Sequence, residues 1–140
     1  MAMRSLYGRV KGVFGLAKTV GSGDSTSAAC DLQGFQSCMI SINAGVFNLT
    51  STNKVTLTVL DSTDNVTYGT VADADMEGME GTGVFRAWDS SASDASTITN
   101  LYYRGGKRYV KCLLEEGGTV SIPMSVAYIL GDSDTKPSVD

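Results

Sequence analysis

Histidine is absent from all 140 residues of the chain. Its absence excludes Ser-His-Asp and Cys-His nucleophilic catalysis, and it removes the usual general base near neutral pH. The run Gly-Ser-Gly-Asp-Ser at 21–25 has the composition of a hydrolase nucleophile motif, but no strand signal precedes it. No pair of carboxylates is marked by a surrounding cleft. The sequence therefore predicts no enzyme activity, no catalytic residue and no cofactor.

Cysteine is scarce, and long apolar runs are missing. The three cysteines are an odd number without the close spacing of a metal site. Cys38 and Cys112 occupy inward positions of expected strands, so we expect buried free thiols, with a disulfide as the alternative. The longest apolar runs are far too short to cross a bilayer, which predicts no membrane association.

Acidic residues are missing from the first twenty positions, which contain Arg4, Arg9, Lys11 and Lys18. The rest of the chain holds seven basic and fifteen acidic residues, a net charge of −8. An acidic body argues against nucleic-acid binding, because phosphate contacts dominate that affinity. The basic leader suits an acidic surface on another protein. We expect an extended arm or a poorly ordered terminus here, with a transit peptide as the alternative.

Sixteen glycines and many Thr, Ser, Val and Tyr residues favour β structure with frequent turns. Apolar residues alternate with a period of two at 38–46, 55–59 and 120–130, as in half-buried strands. Pro123 cannot donate to a strand ladder, so the last strand is expected at an edge or with a bulge. No stretch has helical periodicity beyond about two turns.

These patterns predict an all-β protein, either an antiparallel β-sandwich of jelly-roll type or a small β-barrel, with an extended N-terminal arm. The expected organisation is a basic arm and linker at 1–29, a β-sandwich domain at 30–131 and a polar C-terminal tail at 132–140.

The segment Tyr-Tyr-Arg-Gly-Gly-Lys-Arg-Tyr at 102–109 is the most informative run. Adjacent glycines can take the positive φ of a tight hairpin turn, and Tyr and Arg are enriched at binding hot spots. We therefore predict a basic, aromatic hairpin that contacts a partner; the alternative is that its charges are simply solvated. With the leader, the predicted partner-binding residues are Arg4, Tyr7, Arg9, Lys11, Phe14, Tyr102, Tyr103, Arg104, Lys107, Arg108 and Tyr109.

An acidic group comprises Asp61, Asp64, Asp73, Asp75 and Glu77. Ca²⁺ prefers several oxygen ligands, so a calcium site is one interpretation. The spacing does not match an EF-hand loop, and Asp side chains commonly form turns. We predict turns here and no metal site, with calcium as the alternative.

Four segments, in order and spacing, resemble a family of small virion structural proteins from tailed phages and prophages. They are Asp-Leu-Gln-Gly-Phe at 31–35, the turn region at 61–68, Val-Ala-Asp-Ala-Asp-Met-Glu-Gly at 71–78, and Tyr-Arg-Gly-Gly-Lys-Arg-Tyr-Val at 103–110. The resemblance extends over about residues 31–131. It implies a capsid decoration, or cement, protein whose partner is the major capsid protein, and a homo-oligomer with the trimer as candidate state.

The expected function is therefore non-enzymatic binding and stabilisation of an assembled phage capsid. The protein would be made in the host cytoplasm and located on the capsid surface of the virion. One alternative is a carbohydrate- or receptor-binding β-sandwich on the virion, with exposed Trp88 and Tyr102 or Tyr103 as its stacking platform. The other is a structural component of the neck or tail.

Overall fold

The computed structural model describes residues 10–21, 23–45, 49, 52–89 and 97–133. These residues form eleven strands and one short 3-10 turn at Asp73–Asp75. The strands are β1 (Val10–Val20), β2 (Ser25–Thr26), β3 (Cys30–Asp31), β4 (Phe35–Ala44), β5 (Lys54–Ser62), β6 (Gly69–Thr70), β7 (Met76–Glu77), β8 (Arg86–Trp88), β9 (Thr97–Tyr103), β10 (Tyr109–Gly117) and β11 (Ile122–Ser133). Within these ranges no helix has the length and apolar character needed to span a membrane.

Two antiparallel sheets are stacked in a sandwich. Sheet A has the strand order β1-β11-β4-β9-β7. Sheet B has the order β2-β10-β5-β6, with β3 also paired to β10 and β8 to β5. Every strand pair is antiparallel. The all-β sandwich predicted from the alternating pattern is confirmed, and the two separate sheets decide against a closed barrel.

Alternate side chains of the long strands build the core between the sheets. Ile40 and Ile42 of β4 are fully buried, as are Leu57 of β5 and Leu114 of β10. Because successive strand residues point to opposite faces, each long strand places every second residue in this layer. Each fully buried aliphatic side chain contributes roughly 1.5–3 kcal/mol relative to an exposed one, so this layer dominates the folding free energy.

A buried polar contact ties the two sheets together inside this layer. The Tyr128 hydroxyl of β11 lies 2.6 Å from Ser27 Oγ. Ser27 Oγ in turn accepts a hydrogen bond of 2.9 Å from the Cys112 backbone N–H of β10. The Tyr128 hydroxyl is therefore satisfied despite complete burial of its side chain.

The N-terminal region differs from the expected division. Residues 10–20 were expected in an arm, whereas the structure places them in β1, which pairs with β11 from Val10↔Gly131 to Val20↔Ile122. Val20 is fully buried, and Val13 and Leu16 pack against the core. The expected linker also contains β2, which pairs with β10. Basic residues and glycines between the apolar positions of β1 obscured its period of two; residues 1–9 lie outside the described residues.

Pro123 does not mark an edge strand, so that expectation was wrong. Strand β11 lies between β1 and β4, and the β-bulge is in β1 between Phe14 and Leu16. The pairing of β11 with β4 begins only at Met124↔Ala44. Pro123 contributes its carbonyl oxygen, which accepts a 2.8 Å hydrogen bond from the Gly45 N–H. Pro123 thus lies where β4 has ended, and its missing N–H leaves no gap in that ladder.

The three cysteines are buried free thiols, as the sequence predicted. Burial raises the pKa of Cys30 to about 11 and that of Cys112 to about 12. Burial also raises the pKa of Cys38. Only the thiolate is a good nucleophile, so both the pKa and the lack of access suppress thiol reactivity.

We predict that the folded protein does not react with a thiol reagent such as 5,5′-dithiobis(2-nitrobenzoate) at pH 8. In guanidinium chloride without reductant, all three thiols should react. Absorbance of the released thionitrobenzoate measures both states. Fast reaction of a thiol in the folded protein, or fewer than three thiols after unfolding, would contradict the burial and the free state.

Candidate docking surface

The Gly-Gly segment is a crossover between the sheets, so the predicted hairpin was wrong. Strand β9 belongs to sheet A and pairs with β4 and β7, whereas β10 belongs to sheet B and pairs with β5. Neither Gly105 nor Gly106 has a positive φ. Gly105 is required for a different reason: a Cβ there would lie 2.4 Å from the Tyr103 hydroxyl oxygen. The crossover backbone packs directly on the Tyr103 ring.

Each basic residue of the crossover is paired with a carboxylate of its own chain. Arg108 donates two hydrogen bonds to Asp31, from Nε at 2.9 Å and from Nη2 at 2.8 Å. This bidentate contact holds the pKa of Asp31 below its usual range. Arg104 pairs with Glu77 of β7. These pairs attach the crossover to β3 and β7, so the basic cluster does not form an unneutralised patch.

The third pair is centred on a buried carboxylate. Asp61 Oδ1 lies 3.1 Å from Lys107 Nζ, and the Asp61 side chain is only 4% exposed. Asp61 Oδ2 accepts a 2.9 Å hydrogen bond from the Tyr103 hydroxyl. Burial raises the pKa of Tyr103, which keeps it a neutral donor. Asp61 therefore attaches both the end of β9 and the crossover to β5 of sheet B.

The remaining aromatic residues of the segment lie on different faces. Tyr102 is exposed on sheet A, whereas Tyr109 is half-buried on sheet B with the Arg108 guanidinium 5.0 Å from its ring centre. Trp88 is fully buried and Tyr103 is 5% exposed. The stacking platform expected from Trp88 with Tyr102 or Tyr103 is therefore not formed.

The acidic group makes turns and ion pairs. An Asp64 carboxylate oxygen accepts hydrogen bonds of 2.9 Å from the N–H groups of Thr67 and Val66. These two backbone hydrogen bonds, together with one from the Ser62 side-chain hydroxyl, hold the pKa of Asp64 below its usual range. Asp73 accepts a bond from the Gly83 N–H. In the part of the chain that the structure describes, no three His, Cys, Asp or Glu side chains are placed to hold a metal ion.

The outward face of sheet A carries no charged side chain at the positions paired across β1, β11, β4 and β9, from Pro123 to Gly131 of β11. This follows from the register, which aligns Gly12, Ile129, Met39 and Tyr102 across β1, β11, β4 and β9. We call this surface the uncharged face; its members are Val10, Gly12, Phe14, Ala17, Thr19, Ser37, Met39, Ser41, Asn43, Ile98, Asn100, Tyr102, Pro123, Ser125, Ala127, Ile129 and Gly131. Among the residues that the structure describes, the charged groups beside this face lie at its rim, where Glu77 pairs with Arg104 and Asp132, at the end of β11, accepts a hydrogen bond from Ser37.

Exposed apolar side chains are concentrated on the uncharged face. The described residues include six exposed large apolar side chains, and four of them lie here: Phe14 (69% exposed), Ile98 (68%), Tyr102 (43%) and Val10 (37%). A groove of about 440 Å³ runs beside Val10, Met39, Tyr102 and Ile129. The outward face of sheet B, in contrast, carries Lys54, Lys111 and Glu115. An exposed apolar surface with charged groups at its rim is therefore the candidate binding surface of this fold.

The structure separates the predicted binding residues. Phe14 and Tyr102 lie on the uncharged face. Lys11 lies on the opposite side of β1, near enough to Asp31 to help lower the pKa of that carboxyl group. Arg4, Tyr7 and Arg9 lie outside the described residues.

Sequence reasoning missed Ile98, Met39 and Ile129 as candidate binding residues. The signal was present: the positions that alternate with the core residues of β4 and β11 contain Ser, Asn, Pro, Ala, Met, Ile and Gly, without one charge. Only the pairing of β11 with β4 and of β4 with β9 brings these positions together into one face.

No protein-family model matches the chain, and no curated protein matches it. Among solved structures, the chain is similar to the N-terminal endo-1,4-β-D-xylanase 10B from Clostridium thermocellum, solved as CBM22-1 and GH10 modules with xylohexaose. The TM-score is 0.44 at 12% identity, over 96% of this chain and 28% of that chain. A likeness at this level carries no argument about function.

We predict that Lys107→Met destabilises the fold by about 1–3 kcal/mol, because it leaves the buried Asp61 carboxylate without its cation. The matched control is Arg104→Met, which breaks a pair whose two side chains are 60% and 59% exposed. We expect that loss to be below about 1 kcal/mol. Urea unfolding followed by tryptophan fluorescence measures both. Equal losses would contradict the special role of Asp61.

Proposed function

We propose that this protein is a non-enzymatic decoration protein of a phage capsid, which binds the assembled shell through the uncharged face and stabilises it. The observation that carries the proposal is this face itself, with Phe14, Ile98 and Tyr102 exposed and no charge between them. The resemblance of residues 31–131 to virion structural proteins supplies the partner, the major capsid protein.

The mechanism needs only surface burial. Removing apolar surface from water contributes about 25 cal/mol per Å², and the side chains at 37–69% exposure retain apolar area that docking can cover. Part of this gain offsets the translational and rotational freedom lost on binding. A shell subunit held by a docked copy must break that contact before it leaves, so the assembled lattice becomes harder to dissociate.

The two outward faces of the sandwich suit different environments. The outward side chains Lys54, Lys111 and Glu115 of sheet B favour contact with water. The uncharged face loses no ionic hydration when it is covered, whereas the desolvation of charged side chains opposes binding. This asymmetry supports an orientation with sheet A toward the shell and sheet B toward solvent.

Basic residues are not the main contact in this proposal. Arg104, Lys107 and Arg108 already pair with Glu77, Asp61 and Asp31. Shell binding should therefore depend on apolar contact and change little with salt, because screening weakens exposed charge pairs and leaves hydrophobic burial intact.

We predict that Phe14→Asp and Tyr102→Asp each reduce affinity for shells by at least about tenfold, since each places a charge in a desolvated contact. Val84→Asp is the matched control, because Val84 is 40% exposed and lies off the uncharged face. Shells assembled from the major capsid protein encoded with this chain are sedimented with each variant, and bound protein is quantified. Circular dichroism confirms that each variant is folded.

Two outcomes would contradict the proposal. One is absence of shell binding by the unsubstituted protein under all salt conditions. The other is equal loss for Val84→Asp and the two face variants. Retention of the protein on immobilised polysaccharide, without retention by shells, would favour a carbohydrate-binding module instead.

A further inference from the structure

In the protein without a bound shell, the apolar side chains of the uncharged face are exposed to water. Strands lie about 4.8 Å apart and rise about 3.3 Å per residue, so four strands of seven to ten paired residues make a face of roughly 450–600 Å². Serine, threonine and asparagine side chains take up part of this area, so its apolar part lies within the roughly 300–600 Å² of the largest apolar patch on a typical monomer, a patch that is often functional. The exposed fractions of Phe14 and Ile98, 69% and 68%, show that the described part of the chain does not cover the face.

We propose that a second copy of this chain covers the uncharged face in the free protein, the two faces packing together about a two-fold axis. The pairing itself does not depend on a phage role. Its further consequence, that the shell displaces the second copy, rests on the proposed function, because both partners would use the same surface.

Charge favours a second copy as the occupant. The chain has a net charge of −4, so two copies repel at long range. A two-fold contact places each surface against its own equivalent, which would bring like charges together if the contact contained any. The uncharged face contains none at its paired positions, and of its rim charges Glu77 and Arg104 neutralise each other. Asp132 is at the end of β11, where it accepts a hydrogen bond from Ser37. Self-contact through this face therefore brings fewer like charges together than self-contact through sheet B.

Composition and area together suit a weak contact. The cores of interfaces are depleted of charge and enriched in aromatic residues and Met, and the uncharged face carries Phe14, Tyr102 and Met39. Stable interfaces bury about 800 Å² per partner. A flat area of roughly 450–600 Å² lies below that value, so we expect a reversible dimer that a larger shell contact can replace.

The alternative contact between two copies is strand addition at the free edge of β1, which pairs with β11 on its other side. Its Gly15 carbonyl already accepts a bond from the Ala28 N–H, and Lys11 and Lys18 interrupt it. Lysines and a bulge are the devices that protect edge strands from pairing. Face-to-face packing is therefore favoured over strand addition.

Sedimentation velocity of the full chain, without shells, tests the pairing. Over about 1 to 100 µM, the range expected for a small interface, the unsubstituted protein should shift from monomer to dimer. Ile98→Lys should weaken the dimer by at least about tenfold, because a two-fold contact contains each substitution twice. Asn100→Asp, a near-isosteric change on the same face, is the second variant and should weaken it in the same direction.

Val66→Lys is the matched control. Val66 is 81% exposed, more than Ile98, and lies in the turn between β5 and β6 away from the uncharged face. This variant should dimerise like the unsubstituted protein. Thermal melting of all variants confirms that each is folded.

A protein that stays monomeric throughout, or a dimer that neither face variant weakens, overturns the pairing. Shell binding is scored separately by co-sedimentation. A monomer that still binds shells ends this inference and leaves the proposed function intact. A dimer that never binds shells supports the pairing and contradicts the proposed function.

Discussion

The residue types on both faces of sheet A are constrained: the inner residues form the core, and the outer residues form the uncharged face. Its inner residues, such as Ile40 and Tyr128, are buried against sheet B. Its outer residues carry no charge at the positions paired across the four long strands. The register places Lys11 and Lys18 of the edge strand β1 on the opposite, inner side of the sheet. This leaves one sheet surface suited to association.

The crossover shows how the same residues can suggest binding in sequence and serve stability in structure. Arg104, Lys107 and Arg108 are adjacent to tyrosines and glycines, a composition common at interfaces. Their carboxylate partners, Glu77, Asp61 and Asp31, are 27 to 77 positions away in the chain. Only folding brings these partners together, so the neutralisation could not be read from the local pattern. The three ion pairs thereby stabilise the crossover that connects β9 of sheet A to β10 of sheet B.

The strands and their inward residues could be predicted because the period of two is a local property; β4 and β5 are clear examples. Strand β1 was missed because Lys11, Gly12, Gly15 and Lys18 interrupt its apolar alternation, and its pairing with β11 is a long-range contact. Phe14 and Tyr102 were predicted as partner-binding residues from local composition, and the structure exposes both on the uncharged face. The uncharged face itself depends on strand order, which no single segment specifies.

The most direct test is cryo-microscopy of the intact virion at a resolution that distinguishes side chains. If the proposed function is right, the capsid carries stoichiometric copies, with Phe14, Ile98 and Tyr102 of sheet A buried against the shell and Lys111 of sheet B in solvent. Absence of the protein from purified particles, or attachment with the uncharged face in solvent, would contradict it.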